Sequence, residues 1–509
     1  MGTGTARTAR YAWLIALVAL LGFAAPAMAK KAPSKKPPAK KVVHRATPSP
    51  VTGLHVSVSG GTPTFEYQMC GVDRTVPVVA SNAAARATVR ESLGRTSVRV
   101  RRHGRTVTVR RAASPVAATL QISICHDGTW HAFSTGALSR ASSASHALNT
   151  ATTASGDYRI TATVSAAGHT VTAAPIYVRV GLGEIVDDPV TFTVSNQAIT
   201  QSLAYTCAAD GSSQVIHGHL IGPRADFVGN GSHDITLYLH GLGYGEWFWN
   251  FTAVPGYDWA MNMAYAGQTS LTIDRLGYGA SGQPNGNDIC LASQAFMAHQ
   301  IIQDLLGANY SISSGPAPNF VNVVLAGHSI GGEIAELESW EYRDAAGLIL
   351  MSWSDLGFSP QALSEFTSTT LGCEAGGIKS VGGSPGYEDF GMTTSAFDND
   401  MFYNVDPAVE AAANSMREPD PCGDTGSALQ TIVINRASAS QITEPILLMF
   451  GDEDALFPPP AGAEAKAEFT GAASVTLDQD ADTGHAVALG RTAPEVTNQT
   501  LAWLNAHNF

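Results

Sequence analysis

Little in this chain suggests a metal, a nucleotide or a membrane span. No C-x-x-C pair accompanies its six cysteines, so zinc is not expected, and no phosphate-cradling loop or other cofactor motif is present. Beyond residue 29 no apolar run approaches the length that spans a bilayer, so the remainder is expected to be soluble. Charged residues are sparse, at 14% of 509. Lys and Arg are scarcest where Asp and Glu are most frequent. Residues 30–186 carry 20 Lys and Arg against 6 Asp and Glu, whereas residues 187–509 carry 8 against 37. The overall charge of −13 therefore conceals a basic part and a strongly acidic part.

The N-terminal segment has a recognisable layout. Arg7 and Arg10 precede an apolar run from Tyr11 to Pro26, followed by Ala27-Met28-Ala29. A charged start, a short apolar centre and an A-x-A end describe a secretory signal peptide over 1–29, placing the protein outside the cell or on its envelope. Residues 30–50 are rich in Lys and Pro and poor in apolar side chains, which predicts an extended tether. Its lysines suit contact with anionic envelope polymers, or serve only to solubilise. In an oxidising compartment the six cysteines are expected to pair as consecutive neighbours: Cys70–Cys125, Cys207–Cys290 and Cys373–Cys422.

Over residues 51–187 no helical periodicity appears. Short alternating runs broken by Gly, Ser and Asp predict a small all-β, sandwich-like accessory domain. Val98 and Val100 should face Val107 and Val109 across a turn at His103-Gly104. Gly156-Asp157-Tyr158, set before a strand, resembles the tyrosine corner of immunoglobulin-like domains. The arginines from Arg95 to Arg111 lack the interleaved aromatics of a nucleic-acid surface, so no nucleic acid is expected.

From residue 188 to 509 strands and helices alternate, which predicts a sheet with helices on both faces. Strands are expected over 234–240, 270–276, 320–326, 346–351, 445–450 and 473–477, with helices over 291–306 and 494–505. The alternation fails between Asp355 and Gln441. The central stretch is Phe320–Glu333, FVNVVLAGHSIGGE. A buried strand stops at Gly-His-Ser-Ile-Gly-Gly, and a helical pattern begins at Glu333. So sharp a turn needs small neighbours, and it lifts the central serine clear of the sheet.

Gly327-His328-Ser329-Ile330-Gly331 resembles the nucleophile elbow, G-x-S-x-G, of the α/β-hydrolase superfamily. Three more stretches in family order resemble its other motifs. The strand DITLYLH runs into His240-Gly241-Leu242, Gly451 to Pro458 fits G-x-x-D-x-x-x-P, and Thr483-Gly484-His485-Ala486 precedes the last helix. The resemblance implies an α/β-hydrolase fold, with residues 356–441 as a cap inserted after strand 6. It implies Ser329 as nucleophile, His485 as base and Asp454 as the orienting acid. Asp452 and Glu453 are rivals for the acid, and Asp355 is an alternative position. The backbone N–H groups of Leu242 and Ile330 would form the oxyanion hole.

The loop Asp274 to Ser281 resembles a D-x-x-G-x-G-x-S stretch expected to be structural. Trp247, Phe248, Trp249 and Phe251 either line an acyl pocket or form the buried face of a short helix. A serine at the elbow, where epoxide hydrolases and dehalogenases of this fold carry aspartate, implies an acyl-enzyme. The expected reaction is hydrolysis of a small or lipid-like carboxylic ester, without cofactor. Two alternatives stay open: amide or peptide hydrolysis, and an envelope-binding protein with an inactive hydrolase domain.

Overall fold

A computed structural model describes residues 51–509, apart from short stretches between strands up to residue 232, and is continuous from 233 onward. Segments 1–29 and 30–50, the turn at His103-Gly104, and Cys70 with its expected bond to Cys125 lie outside the described residues. Among the described residues, 51–180 contain twelve strands. Arg95–Arg102 pairs with Arg105–Ala112 so that Val98 faces Val109 and Val100 faces Val107, the register that the alternation predicts. Tyr158, Ile160 and Ala162 are buried at every second position of the strand Gly156–Ala166. Tyr158 thus lies within that strand, two residues after its start.

The acidic region is built on a nine-stranded sheet. Its main strands are β1 (Ile185–Ser195), β2 (Ser213–Pro223), β3 (Ile235–Leu239), β4 (Ser270–Ile273), β5 (Val323–His328), β6 (Gly347–Met351), β7 (Ile446–Gly451) and β8 (Val475–Asp480). They lie in the order β1-β2-β4-β3-β5-β6-β7-β8, with a two-residue strand at Ser311–Ile312 beside β1. β2 runs antiparallel to both neighbours, and from β4 to β8 every pairing is parallel. β3, β4, β5, β6 and β7 are buried at every position, as expected for parallel strands covered on both faces, and their sequences are correspondingly apolar throughout.

The expected boundary between residues 187 and 188 falls inside β1, which pairs with β2 along its whole length from Ile185 to Ser195. In the structure Asp188 is buried and accepts the N–H groups of Ser313 and Ser314 at 3.1 and 3.2 Å. Val186, Val190, Phe192 and Val194 bury the inward face of the strand.

Helices α1 (Trp259–Tyr265), α2 (Leu291–Gly307) and α3 (Ile330–Tyr342) follow β3, β4 and β5. The cap contains α4 (Pro360–Glu374), α5 (Thr394–Met401), α6 (Pro407–Met416) and α7 (Cys422–Ser438), with three short strands. The disulfide Cys373–Cys422 joins the end of α4 to the start of α7, and Cys207–Cys290 anchors the segment after β1 to the start of α2. Both match the expected pairs. Helices α8 (Ala461–Glu468) and α9 (Ala493–His507) complete the fold. Among the described residues no helix is long and apolar enough to cross a membrane.

Candidate active site

β5 ends at His328, and Ser329 takes φ 54° and ψ −129° before α3 begins. That backbone conformation is costly for a residue with a side chain, and it holds only because its surroundings fix it. The Ser329 N–H donates to Met351 O at 2.9 Å, and its carbonyl accepts the Gly332 N–H at 2.7 Å. A methyl group at Gly327 would meet Gly331 O at 2.1 Å, and one at Gly331 would meet Leu239 O at 2.4 Å. The spacing G-x-S-x-G therefore follows from close backbone approach within the turn and against β3.

His485 lies between β8 and α9 and is fully buried. Its Nδ1 stands 3.0 Å from both Asp454 oxygens. Asp454 Oδ1 also accepts the N–H groups of Leu456 and Phe457, at 2.8 and 2.9 Å. The carboxylate is thus fixed by its own loop before it meets the imidazole. With Nδ1–H directed at Asp454, Nε2 is left as an acceptor, and it is buried with no partner. Of the four candidate acids only Asp454 reaches His485. Asp452 and Glu453 are exposed, and Asp355 is buried without a hydrogen bond.

Two contacts tie the histidine loop to the elbow and to the end of β6. The His485 carbonyl accepts from His328 Nε2 and from Ser352 Oγ, each at 2.9 Å. His328, next to the serine, is missed by the sequence reading. Its ring stacks on Phe248 at 4.4 Å, and burial, followed by the nearby His485, holds it well below the usual histidine range. A neutral His328 is the state that donates one hydrogen bond without placing a second charge beside His485.

The turn His240–Gly243 passes close to the serine: a methyl group at Gly241 would sit 2.9 Å from Ser329 Cβ. Among the described residues, the N–H groups of Leu242 and Ile330 have no hydrogen-bond partner. Arg275, fully buried, donates through Nε to His240 O at 2.9 Å and pairs with Asp424 at 2.9 Å. Asp420, from the cap, accepts the Gly243 N–H at 2.7 Å, the Phe390 N–H at 2.9 Å and the Tyr278 hydroxyl at 3.0 Å. Burial pushes the Asp420 carboxyl up to about 7 against the pull of these donors. The 274–281 loop is structural as expected, and its work is to hold this turn through Arg275 and Tyr278.

Of the aromatic group after the turn, Phe248, Trp249 and Phe251 are buried in the main core, and Trp247 is half-buried. The buried-face alternative describes these three.

A family model described as "Alpha/beta hydrolase family" matches residues 237–500. No curated protein matches the chain. Among solved structures, an esterase from Exiguobacterium antarcticum is 16% identical with a TM-score of 0.41, covering 58% of this chain and 97% of its own. A thermophilic esterase from Thermogutta terrifontis, with malate bound, is 18% identical with a TM-score of 0.42, covering 63% and 99%. The peroxisomal alpha-beta-hydrolase Lpx1 from Saccharomyces cerevisiae is 16% identical with a TM-score of 0.41, covering 62% and 89%. With the matched segment running from β3 to α9 and spanning more than half of its residues, this chain belongs to the alpha/beta hydrolase family.

Proposed function

We propose that this protein is a serine hydrolase of carboxylic esters working through an acyl-enzyme. The observation that carries the reading is His485, held at Nδ1 by Asp454, with Nε2 buried and unpartnered beside the strained serine elbow. Ser329 Oγ attacks the acyl carbon as Nε2 takes its proton, and the carbonyl oxygen becomes an oxyanion facing the Leu242 and Ile330 N–H groups. Collapse breaks the bond to the alcohol, which leaves with the proton from His485. Water, deprotonated by the same nitrogen, then attacks the acyl-enzyme and releases the acid and Ser329. Asp454 holds the ring and stabilises the imidazolium formed at each step.

An organophosphonate carrying a reporter tests this directly. Peptide mapping should find it on Ser329, with Ser329→Ala neither labelled nor active on a p-nitrophenyl ester, a loss on the order of 10⁴- to 10⁶-fold. Label on another residue, or activity surviving in Ser329→Ala, overturns the reading. The matching p-nitroanilide decides between ester and amide: turnover within about tenfold of the ester would move the assignment to amide hydrolysis.

The same reading extends to place and layout. Segment 1–29 directs export, 30–50 tethers, and the residues from 51 up to the start of β1 at Ile185 are a basic accessory domain ahead of the hydrolase domain, suited to an anionic envelope surface. Two disulfides in the hydrolase region support an oxidising compartment. N-terminal sequencing of the exported protein should begin at Lys30. An uncleaved N-terminus overturns export by this signal.

A further inference from the structure

On the far side of α3 from the serine, three potential ligands meet: His299 on α2, Glu338 on α3, and Asp344 just beyond the end of α3. A ligand atom of each lies within 4.8 Å of the others. Glu338 is fully buried, and neither of its carboxyl oxygens has a hydrogen-bond partner. Asp344 Oδ1 is likewise buried and unpartnered. Arg343, the adjacent cation in sequence, is engaged elsewhere, donating to Gln441 Oε1 at 2.8 Å and to Trp340 O at 3.3 Å. Two carboxyls thus carry three buried oxygens without a donor, in a cluster whose third member is an imidazole. Buried anionic oxygens with no donor carry a heavy desolvation cost unless a cation or a proton joins them.

We propose that His299, Glu338 and Asp344 form a binding site for a divalent transition-metal ion of the zinc type, joining α2 to the C-terminal end of the elbow helix. One imidazole and two carboxylates, with water in a fourth position, suit a tetrahedral borderline ion. They supply too few oxygens for calcium, which takes about 6–8. Bonds of about 2.0–2.2 Å place ligand atoms roughly 3.4 Å apart, so the carboxyls draw inward and the His299–Asp344 contact, now 2.7 Å, opens slightly. The surroundings already orient two ligands. Gln303 Nε2 donates to Asp344 Oδ2 at 2.6 Å, and Tyr342 stacks on the His299 ring at 4.2 Å. Glu338 lies nine positions along α3 from Ser329, roughly 14 Å at the helical rise. The ion therefore braces the elbow helix from behind and takes no part in acyl transfer, and the inference stands apart from the esterase reading.

The competing occupant is a proton. Burial, and after it Asp344, push the Glu338 carboxyl well above the ordinary range, so a protonated Glu338 bonded to Asp344 satisfies the same oxygens. Isothermal titration of the EDTA-treated, chelator-free full chain with zinc chloride separates the two. The expected result is one ion bound, with melting raised by about 3–6 °C at zinc 100-fold above its dissociation constant. Magnesium and calcium should give no shift. Glu338→Gln, which preserves the shape of the protonated acid, should weaken zinc binding at least about tenfold and leave any hydrolytic activity unchanged. The half-exposed His299→Ala should weaken it similarly and covers the case in which Glu338→Gln fails to fold. No zinc uptake by the wild type, or uptake undiminished in both variants, overturns the proposal and leaves the proton in place.

Discussion

Asp454 and Asp355 both follow parallel strands, β7 and β6, and both are nearly inaccessible, at 2% and 4% exposure. Asp454 is met by two backbone N–H groups and an imidazole. Asp355 has no hydrogen-bond partner and lies among other acids. Burial first, then Glu336, Glu333 and Glu468, push its carboxyl well above the ordinary range. Equal burial thus leads to opposite chemistry. What separates the two is the set of donors that each loop delivers, since a carboxylate stays ionised inside a protein only where hydrogen bonds or opposite charge replace its lost water. Asp355 lies with Glu333 and Glu336 of α3 in a pocket of carboxyls that burial raises, whereas Asp454 is held by donors against His485.

The sharpest way to break this comparison is to neutralise each acid in turn. Asp454→Asn should lower kcat on a small ester by about 10⁴-fold, because an amide no longer selects the tautomer with Nε2 free. Asp355→Asn should stay within about threefold of wild type, since asparagine resembles a carboxyl already neutral. Steady-state kinetics of the two variants at pH 7.5 would show it. Comparable losses at both positions would mean that Asp355 also serves the reacting histidine.

This contrast marks how far the sequence reads. Six of the eight main strands, the serine at its turn and the histidine with its acid neighbour are legible because each sits in a short local pattern: a buried strand, then a turn with obligatory glycines or a fixed acid spacing. The cap is not. Its helices are rich in Ala, Ser and Thr, so their apolar periodicity is weak. The usable signals were the helix starts, Ser359-Pro360, Thr393 and Asp406-Pro407, whose side chains accept from the first turn in the structure. Asp420, Asp424 and Arg275 come together from segments far apart in sequence, and no local pattern announces such a cluster. Glu333, Glu336 and Glu338 carry no local sign of their burial. Acids on a helix suggest a solvated face, yet here they face neighbouring helices and loops.

A middle-sized effect concerns the cap's hold on the turn after β3. Asp420 takes the Gly243 N–H one residue beyond Leu242. Asp420→Asn cannot accept all three of its present donors, so the turn should shift while the serine, histidine and Asp454 remain in place. A displacement of this kind is expected to lower kcat by about 10- to 100-fold with KM little changed, because the oxyanion forms only after binding. A loss confined to KM would make Asp420 a substrate-side group rather than a positioning one. A melting curve superimposable on wild type, with unchanged kcat, would remove it from both roles.

The smallest effect, per unit of pH, tests the held protons. Burial, and after it Glu468, push the Glu336 carboxyl up to about 8, from an ordinary value of 4.5. Between those limits the folded protein keeps a proton that the unfolded chain has released. The stability contributed by that proton is therefore fully present below about pH 4.5 and is lost as pH climbs toward 8, at about 1.4 kcal/mol per unit. Asp355 and Glu333, also raised by burial, add slopes of the same sign. Denaturant unfolding at pH 5, 6.5 and 8 should show wild type weakening steadily. Glu336→Gln, which carries the neutral shape at every pH, should weaken less steeply by one proton's worth, so that the two curves diverge as pH rises. Parallel curves would mean that Glu336 reaches water or a cation in the folded state, and the contrast with the donor-met Asp454 would then rest on Asp355 and Glu333 alone.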